Sequence, residues 1–195
     1  MEKKKIIRYI IIALAVILVI VGFILIRNAK NKKIIEEVTP LYNKAHELYQ
    51  FGGDIIYTKD VDGGRKYIEK DGTKYYQIAN FDESVAKYFT SNALKDTMEF
   101  MNIINEDGNY YIKDTGRGIG NYFGVTFKVE KASGKKRVLK ASSKFCKIEH
   151  QVTYGDLCSG DNEYTIDKEF KLVKENKVWK IDSFVSIFQM GDEIK

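Results

Sequence analysis

The sequence predicts an α+β chain: one N-terminal transmembrane helix, then a domain that runs from helices into a curved antiparallel sheet. Three observations predict it. Residues 9–26 read YIIIALAVILVIVGFILI, eighteen positions without a charge. Apolar residues then recur at helical spacing over 41–49 and 94–104. From residue 122 onward, long apolar-rich segments are separated by short turns, the pattern of an antiparallel meander.

The apolar run organises the rest. A helix of that length rises about 27 Å, close to the ~30 Å hydrocarbon thickness of a bilayer. A core helix of a water-soluble protein would carry a polar face, and this run has none. Ile6 and Ile7 extend it, and Arg8 sits where a long side chain reaches the interface. A cleaved signal peptide would end in a small-residue site. Here Phe23, Ile24, Leu25 and Ile26 run straight into Arg27, so an uncleaved anchor is the reading, with cleavage near Ala29 the alternative. No Cys occurs in the first thirty residues, which excludes lipoprotein processing. Four basic residues precede the run and four follow it, so the positive-inside rule is nearly balanced. The short N-terminal tail favours a cytoplasmic N-terminus. The expected organisation is a cytoplasmic tail 1–8, a transmembrane anchor 9–26, a juxtamembrane connector 27–38 and an extracytoplasmic α+β domain 39–190.

Charge narrows the class of partner. The whole chain carries +5, but residues 1–33 hold eight Lys or Arg against one Glu. Beyond them stand 24 basic and 26 acidic residues. The basicity is therefore a collar around the anchor, suited to anionic head groups. It does not support nucleic-acid binding by the domain.

Cys146 and Cys158 are the only cysteines, spaced for a local loop closed by one disulfide. That pairing suits an oxidising exterior; in a cytosolic domain both would be buried thiols. His150 lies between them, which leaves a Cys-His-Cys cluster as an alternative, although no C-x-x-C occurs and only His46 and His150 are present. No metal or cofactor site is expected.

Taken in order, the domain opens on Thr39-Pro40, read as an N-cap and first helical residue. Leu41, Tyr42, Ala45, Leu48 and Tyr49 form one face of the helix that follows, which Gly52-Gly53 ends. His46 is placed on its surface. Residues 54–59 read as a strand, and 61–64 as a turn. Asp60-Val61-Asp62-Gly63 resembles the start of a calcium loop, but the Glu such a loop needs is missing. Segments 66–70 and 73–78 flank Asp71-Gly72, a hairpin signature. Asn80 or Asp82 caps a short helix carrying Val85, Tyr88 and Phe89. Thr90 or Ser91 caps another, carrying Leu94, Met98, Met101 and Ile104. Residues 106–109 turn the chain into 110–113. Strands are expected over 122–131, with Phe123, Val125, Phe127 and Val129 on one face, and over 136–148, 164–174 and 177–188. Turns fall at 132–135 and 175–176, and a loop at 149–161.

Gly116, Arg117, Gly118, Ile119 and Gly120 form a glycine-rich loop between the two halves of the domain. A phosphate loop would end in Gly-Lys-Ser/Thr and lead into a helix; this one leads into a strand. It is read as a candidate partner-contacting loop.

Helices followed by a curved sheet that ends in KLVKENKVWKID resemble the NTF2-like or cystatin-like roll. Three segments, YYQIANFDESVAKYFTSNAL, INEDGNYYIKD and EFKLVKENKVWKIDSF, also resemble bacterial inhibitors of cell-wall DL-endopeptidases of the IseA type. That resemblance implies a non-catalytic protein that docks on a peptidoglycan hydrolase and blocks its cleft. The membrane anchor departs from the secreted form expected of such inhibitors.

No Ser-His-Asp or Cys-His set is discernible, so no catalytic residue is assigned. The expectation is a membrane-anchored extracytoplasmic binding protein that inhibits or regulates a cell-wall endopeptidase. One alternative is an assembly subunit of an envelope complex of the conjugation or secretion type. The other is an NTF2-like enzyme with an Asp-His or Asp-Tyr dyad.

Overall fold

The computed structural model describes residues 2–51, 57–113, 122–147, 162–190 and 193. The chain divides into two compact units, Met1–Val38 and Thr39–Lys195.

The first unit lies within helix α1, Glu2–Phe51. Its apolar window has a mean hydropathy of 2.7, and none of that window is buried. Leu18 and Val19 are 71% and 72% exposed. A helix this apolar, with its side chains facing outward, is a candidate membrane span.

The helix start expected at Thr39 is not there, because α1 continues through Pro40. An internal proline removes one backbone donor and crowds the carbonyl four residues back, at a cost of about 3 kcal/mol. Two features offset this. Glu36 and Glu37 before Pro40, and Leu41 after it, are good helix formers. Within the second unit, Tyr42, Ala45, Leu48 and Tyr49 of the same helix are buried. Gly52-Gly53 and most of the strand expected at 54–59 lie outside the described residues. Only the bridges Tyr57–Ile78 and Lys59–Arg65 remain of that strand.

The second unit holds two antiparallel four-stranded sheets. The first contains β1 (Tyr67–Lys70), β2 (Thr73–Gln77), β3 (Ile103–Glu106) and β4 (Asn109–Lys113), in the order β1-β2-β4-β3. Its hairpins follow turn chemistry. Asp71 and Gly72 have φ of 50° and 72°, and Asp107 and Gly108 have 51° and 80°, the positive pairs that two-residue turns between twisted strands require. Between β2 and β3 lie α2 (Phe81–Ser84), a 3-10 turn (Ala86–Tyr88) and α3 (Ser91–Met101). The Thr90 hydroxyl accepts from the Ala93 N–H, as its N-cap reading requires. Asn102, at φ 53°, ends α3, so Ile104 belongs to β3 and not to the helical stripe. The signal for that end was Asn, which tolerates the left-handed region.

The second sheet is the expected meander: β5 (Tyr122–Ala132), β6 (Lys136–Cys146), β7 (Glu163–Glu175) and β8 (Val178–Ser183). Three details differ from expectation. A bulge separates the pairs Tyr122–Phe145 and Gly124–Lys144, so Phe123 is the extra residue and is 42% exposed. An inserted residue reverses the side-chain alternation, which puts Tyr122 in place of Phe123 on the inner face with Val125, Phe127 and Val129. The last turn is Asn176-Lys177, both at positive φ, one residue later than expected. Finally, β8 stops at Ser183. A 3-10 turn, Ile187–Gln189, follows, fixed by a capping box between Ser186 and Gln189.

The core of this unit lies against the inner face of the second sheet. Phe145, Leu139, Phe170, Leu172 and Ile181 are fully or almost fully buried there. The Tyr42 ring meets Phe127, Phe170 and Phe184 edge-on at 5.0, 5.2 and 5.2 Å. The free edge of β8 is covered by the chain entering α3, through the Phe89–Ile181 bridge and the Thr90 N–H donating to the Ile181 carbonyl at 2.8 Å. This contact interrupts the edge at Ile181, and a broken edge is a poorer template for aggregation.

Candidate functional site

The glycine-rich loop Gly116–Arg117–Gly118–Ile119–Gly120, together with His150 and Cys158, lies outside the described residues. The strand ends that carry these segments are described. Tyr122 pairs with Phe145, Phe145 with Tyr164, and Cys146 with Glu163. The start of β5, the end of β6 and the start of β7 therefore share one end of the second sheet. Cys146 is 1% exposed there, and no free cysteine occurs among the described residues.

That sheet end carries an aromatic row. Tyr122 and Phe145 are 5.7 Å apart, and Phe145 stacks on Tyr164 at 5.5 Å. Ile166, Ile187 and Met190 pack against Phe145. His46 reaches the same cluster from α1, 5.0 Å from the Tyr122 ring and parallel to Phe188 at 6.0 Å. It is half-buried, contrary to its reading as a helix-surface side chain. The sequence held a signal: His46 follows Tyr42 by four residues, on the same helical face.

Burial sets the protonation of this cluster. It pushes the His46 imidazolium below the ordinary histidine range, because desolvation disfavours the charged ring. Burial, and then the nearby Tyr42 phenol, push Tyr122 well above the ordinary phenol range. Tyr42 is also pushed up by burial, against the smaller opposing effect of its contact with Ser143. The Tyr42 hydroxyl is 3.4 Å from the Ser143 Oγ, a long hydrogen bond. These three side chains stay neutral near pH 7. They pack the sheet against α1.

Hollows formed by described residues mark the surface. One hollow of about 320 Å³ lies between α3 and the end of β8 and gathers Asp96, Asp182, Thr97 and Tyr49. Thr97, Tyr49 and Asp182 are engaged within the fold. The Thr97 hydroxyl donates to the Ala93 carbonyl at 2.7 Å and accepts from the Tyr49 hydroxyl at 3.0 Å. Asp182 accepts from the Thr90 hydroxyl at 3.3 Å. A second hollow, of about 400 Å³, lies beside Phe81, Asp82 and Tyr110. A third, of about 530 Å³, lies at the β5–β6 hairpin. Among the described residues, no three His, Cys, Asp or Glu side chains group to hold a metal. Asp60 and Asp62 bond their own turn, Asp60 Oδ1 accepting from the Val61 N–H at 2.8 Å and Asp62 Oδ1 from the Gly64 N–H at 2.9 Å.

The class these features define is an α+β chain with a long apolar N-terminal helix and two antiparallel sheets. Neither protein-family models nor curated proteins match the sequence.

Proposed function

We propose that this chain is a membrane-anchored extracytoplasmic binding protein, built on an NTF2-like or cystatin-like roll, that docks a protein partner at the cell envelope. The partner in this reading is a cell-wall peptidoglycan endopeptidase, which the domain inhibits or regulates. The observation that carries it is the apolar window of α1, none of which is buried. Such a helix is stable only where lipid replaces water around it. Cys146 and Cys158 close a disulfide loop in the same reading, in keeping with an oxidising exterior. The loop 116–120 and the cysteine loop supply the partner contact in this reading.

The test uses the full-length chain reconstituted in liposomes, mixed with a purified DL-endopeptidase and peptidoglycan fragments. The expected result is slower cleavage as the protein-to-enzyme ratio rises. An unchanged rate at every ratio would remove the inhibitor reading.

A further inference from the structure

Charge is divided unevenly within the domain. Residues 57–113, which hold the first sheet, carry eight Lys or Arg against ten Asp or Glu. The described strands and turns of the second sheet, 122–147 and 162–183, carry thirteen against six. Strand alternation puts much of this excess on the face opposite the core. Along that face four lysines are already paired: Lys140 with Asp167 at 2.7 Å, Lys144 with Glu163 at 3.4 Å, Lys171 with Glu169, and Lys180 with Glu175 at 3.5 Å.

The β5–β6 hairpin differs. Lys128, Lys131 and Lys136 are exposed, and among the described residues none has an acidic partner. Lys128 stands directly across from Lys140. Asp167 balances Lys140, which leaves Lys128 as the side of that cross-strand pair without a carboxylate of its own. A bulge between Val129 and Lys131 bends β5 at this place. The hollow of about 530 Å³ lies beside it, lined by Lys131, Lys136 and the Lys171–Glu169 pair, with Glu130 and the Ser133 hydroxyl also on its wall; across the hairpin, residues 128–137, five Lys or Arg still stand against the one Glu.

We propose that this hairpin face docks a linear phosphodiester polymer of the cell envelope. Charge complementarity selects an anion, and lysines on a flexible stem bind phosphate as mobile point charges. The shape selects a chain. Adjacent strands in a sheet turn by about 20–25° relative to one another, so lysines spread over several strands do not lie in one plane. A flexible polymer follows that surface; a flat bilayer touches only part of it. Single-stranded nucleic acid needs aromatic platforms for its bases. The side chains lining this hollow are charged, hydroxyl-bearing or aliphatic.

The inference rests on the extracytoplasmic placement proposed above, goes beyond the proposed inhibition, and holds or fails without the endopeptidase. Its test measures binding of the full-length chain, in nonionic detergent, to linear inorganic polyphosphate as the probe. Orthophosphate, phosphatidylglycerol vesicles and single-stranded DNA form the other arms. The expected result is polyphosphate binding that weakens as salt is added. The variant Lys128→Glu/Lys131→Glu/Lys136→Glu should lose about tenfold or more of that affinity, since three attractive charges become repulsive. The control Lys59→Glu/Lys66→Glu/Lys95→Glu, outside the second sheet, should retain it. Melting temperatures within a few degrees of the parent would establish that both variants are folded. Equal binding by parent and hairpin variant would overturn the proposal by assigning the affinity to the basic collar. So would no polyphosphate binding, equal loss in the control, or binding of orthophosphate, vesicles or DNA as tight as that of polyphosphate.

Discussion

The Tyr42 hydroxyl lies 3.4 Å from the Ser143 Oγ, across 101 residues of sequence, where α1 crosses the inner face of the second sheet. The phenol ring carries the larger share of this contact. It is fully enclosed, with three phenylalanines edge-on around it. Removing the ring should therefore cost far more than removing the hydroxyl. Tyr42→Ala is expected to destabilise the domain by about 3–5 kcal/mol. Tyr42→Phe should cost no more than about 1 kcal/mol, since the hydrogen bond it removes is a long one. Chemical denaturation of both variants checks the ordering, and equal losses would contradict it.

His46 makes stability depend on acid. Burial lowers its folded pKa below the unfolded value of about 6.5, so the unfolded chain binds the extra proton first. This contribution is complete above pH 6.5 and is lost as pH falls below it. Melting temperature should therefore drop between pH 7.5 and pH 5.5. His46→Phe, which keeps a ring against Phe188 and Tyr122, should flatten that part of the profile. An unchanged slope in the variant would show that the ring does not titrate in this way.

Turn residues give opposite effects at two hairpins. Lys177 sits at φ 68°, where an L side chain other than Asn or Asp is strained by roughly 1–2 kcal/mol. Lys177→Gly relieves that strain against a smaller entropic cost, so a net gain of about 0.5 kcal/mol is expected. Gly72 already sits at φ 72°, and Gly72→Ala should destabilise by about 1 kcal/mol. Thermal melts of the two variants should move in opposite directions.

The cysteine pairing has a direct chemical readout. A bond between Cys146 and Cys158 leaves no thiol that reacts with a maleimide after denaturation without reductant. Closing a loop of this size should stabilise the domain by about 3 kcal/mol, so reductant should lower its melting temperature. Two reactive thiols per chain would remove the pairing, and with it one argument for an oxidising exterior.

Much of the fold was legible in the sequence because local chemistry governed it. Asp71-Gly72 takes two positive φ angles at small cost, so its hairpin could be read from two letters. The apolar run needed only counting. What stayed hidden depended on events between distant residues. The bulge before Gly124 reverses β5 and exposes Phe123, and no periodicity within 122–131 signals an inserted residue. Pro40 reads as a helix start by itself; the burial of Tyr42 and Ala45 decides instead that α1 runs through it. The separation of β1–β4 into their own sheet depends on the β2–β4 pairing across α3. Of the residues the sequence put forward, loop 116–120 and the two cysteines, only Cys146 falls among the described residues. The aromatic row joining His46 to Tyr122 emerged only when register put Tyr122, Phe145 and Tyr164 side by side.

The central claim is that a lipid-embedded helix holds one folded body outside the cell. Intact cells producing the full-length chain, treated with a membrane-impermeant lysine reagent, test it most directly. The account predicts that Lys128, Lys131 and Lys136 are modified in protein recovered from the membrane fraction, while a cytosolic marker stays unmodified. Modification of those lysines only after the cells are broken would contradict it.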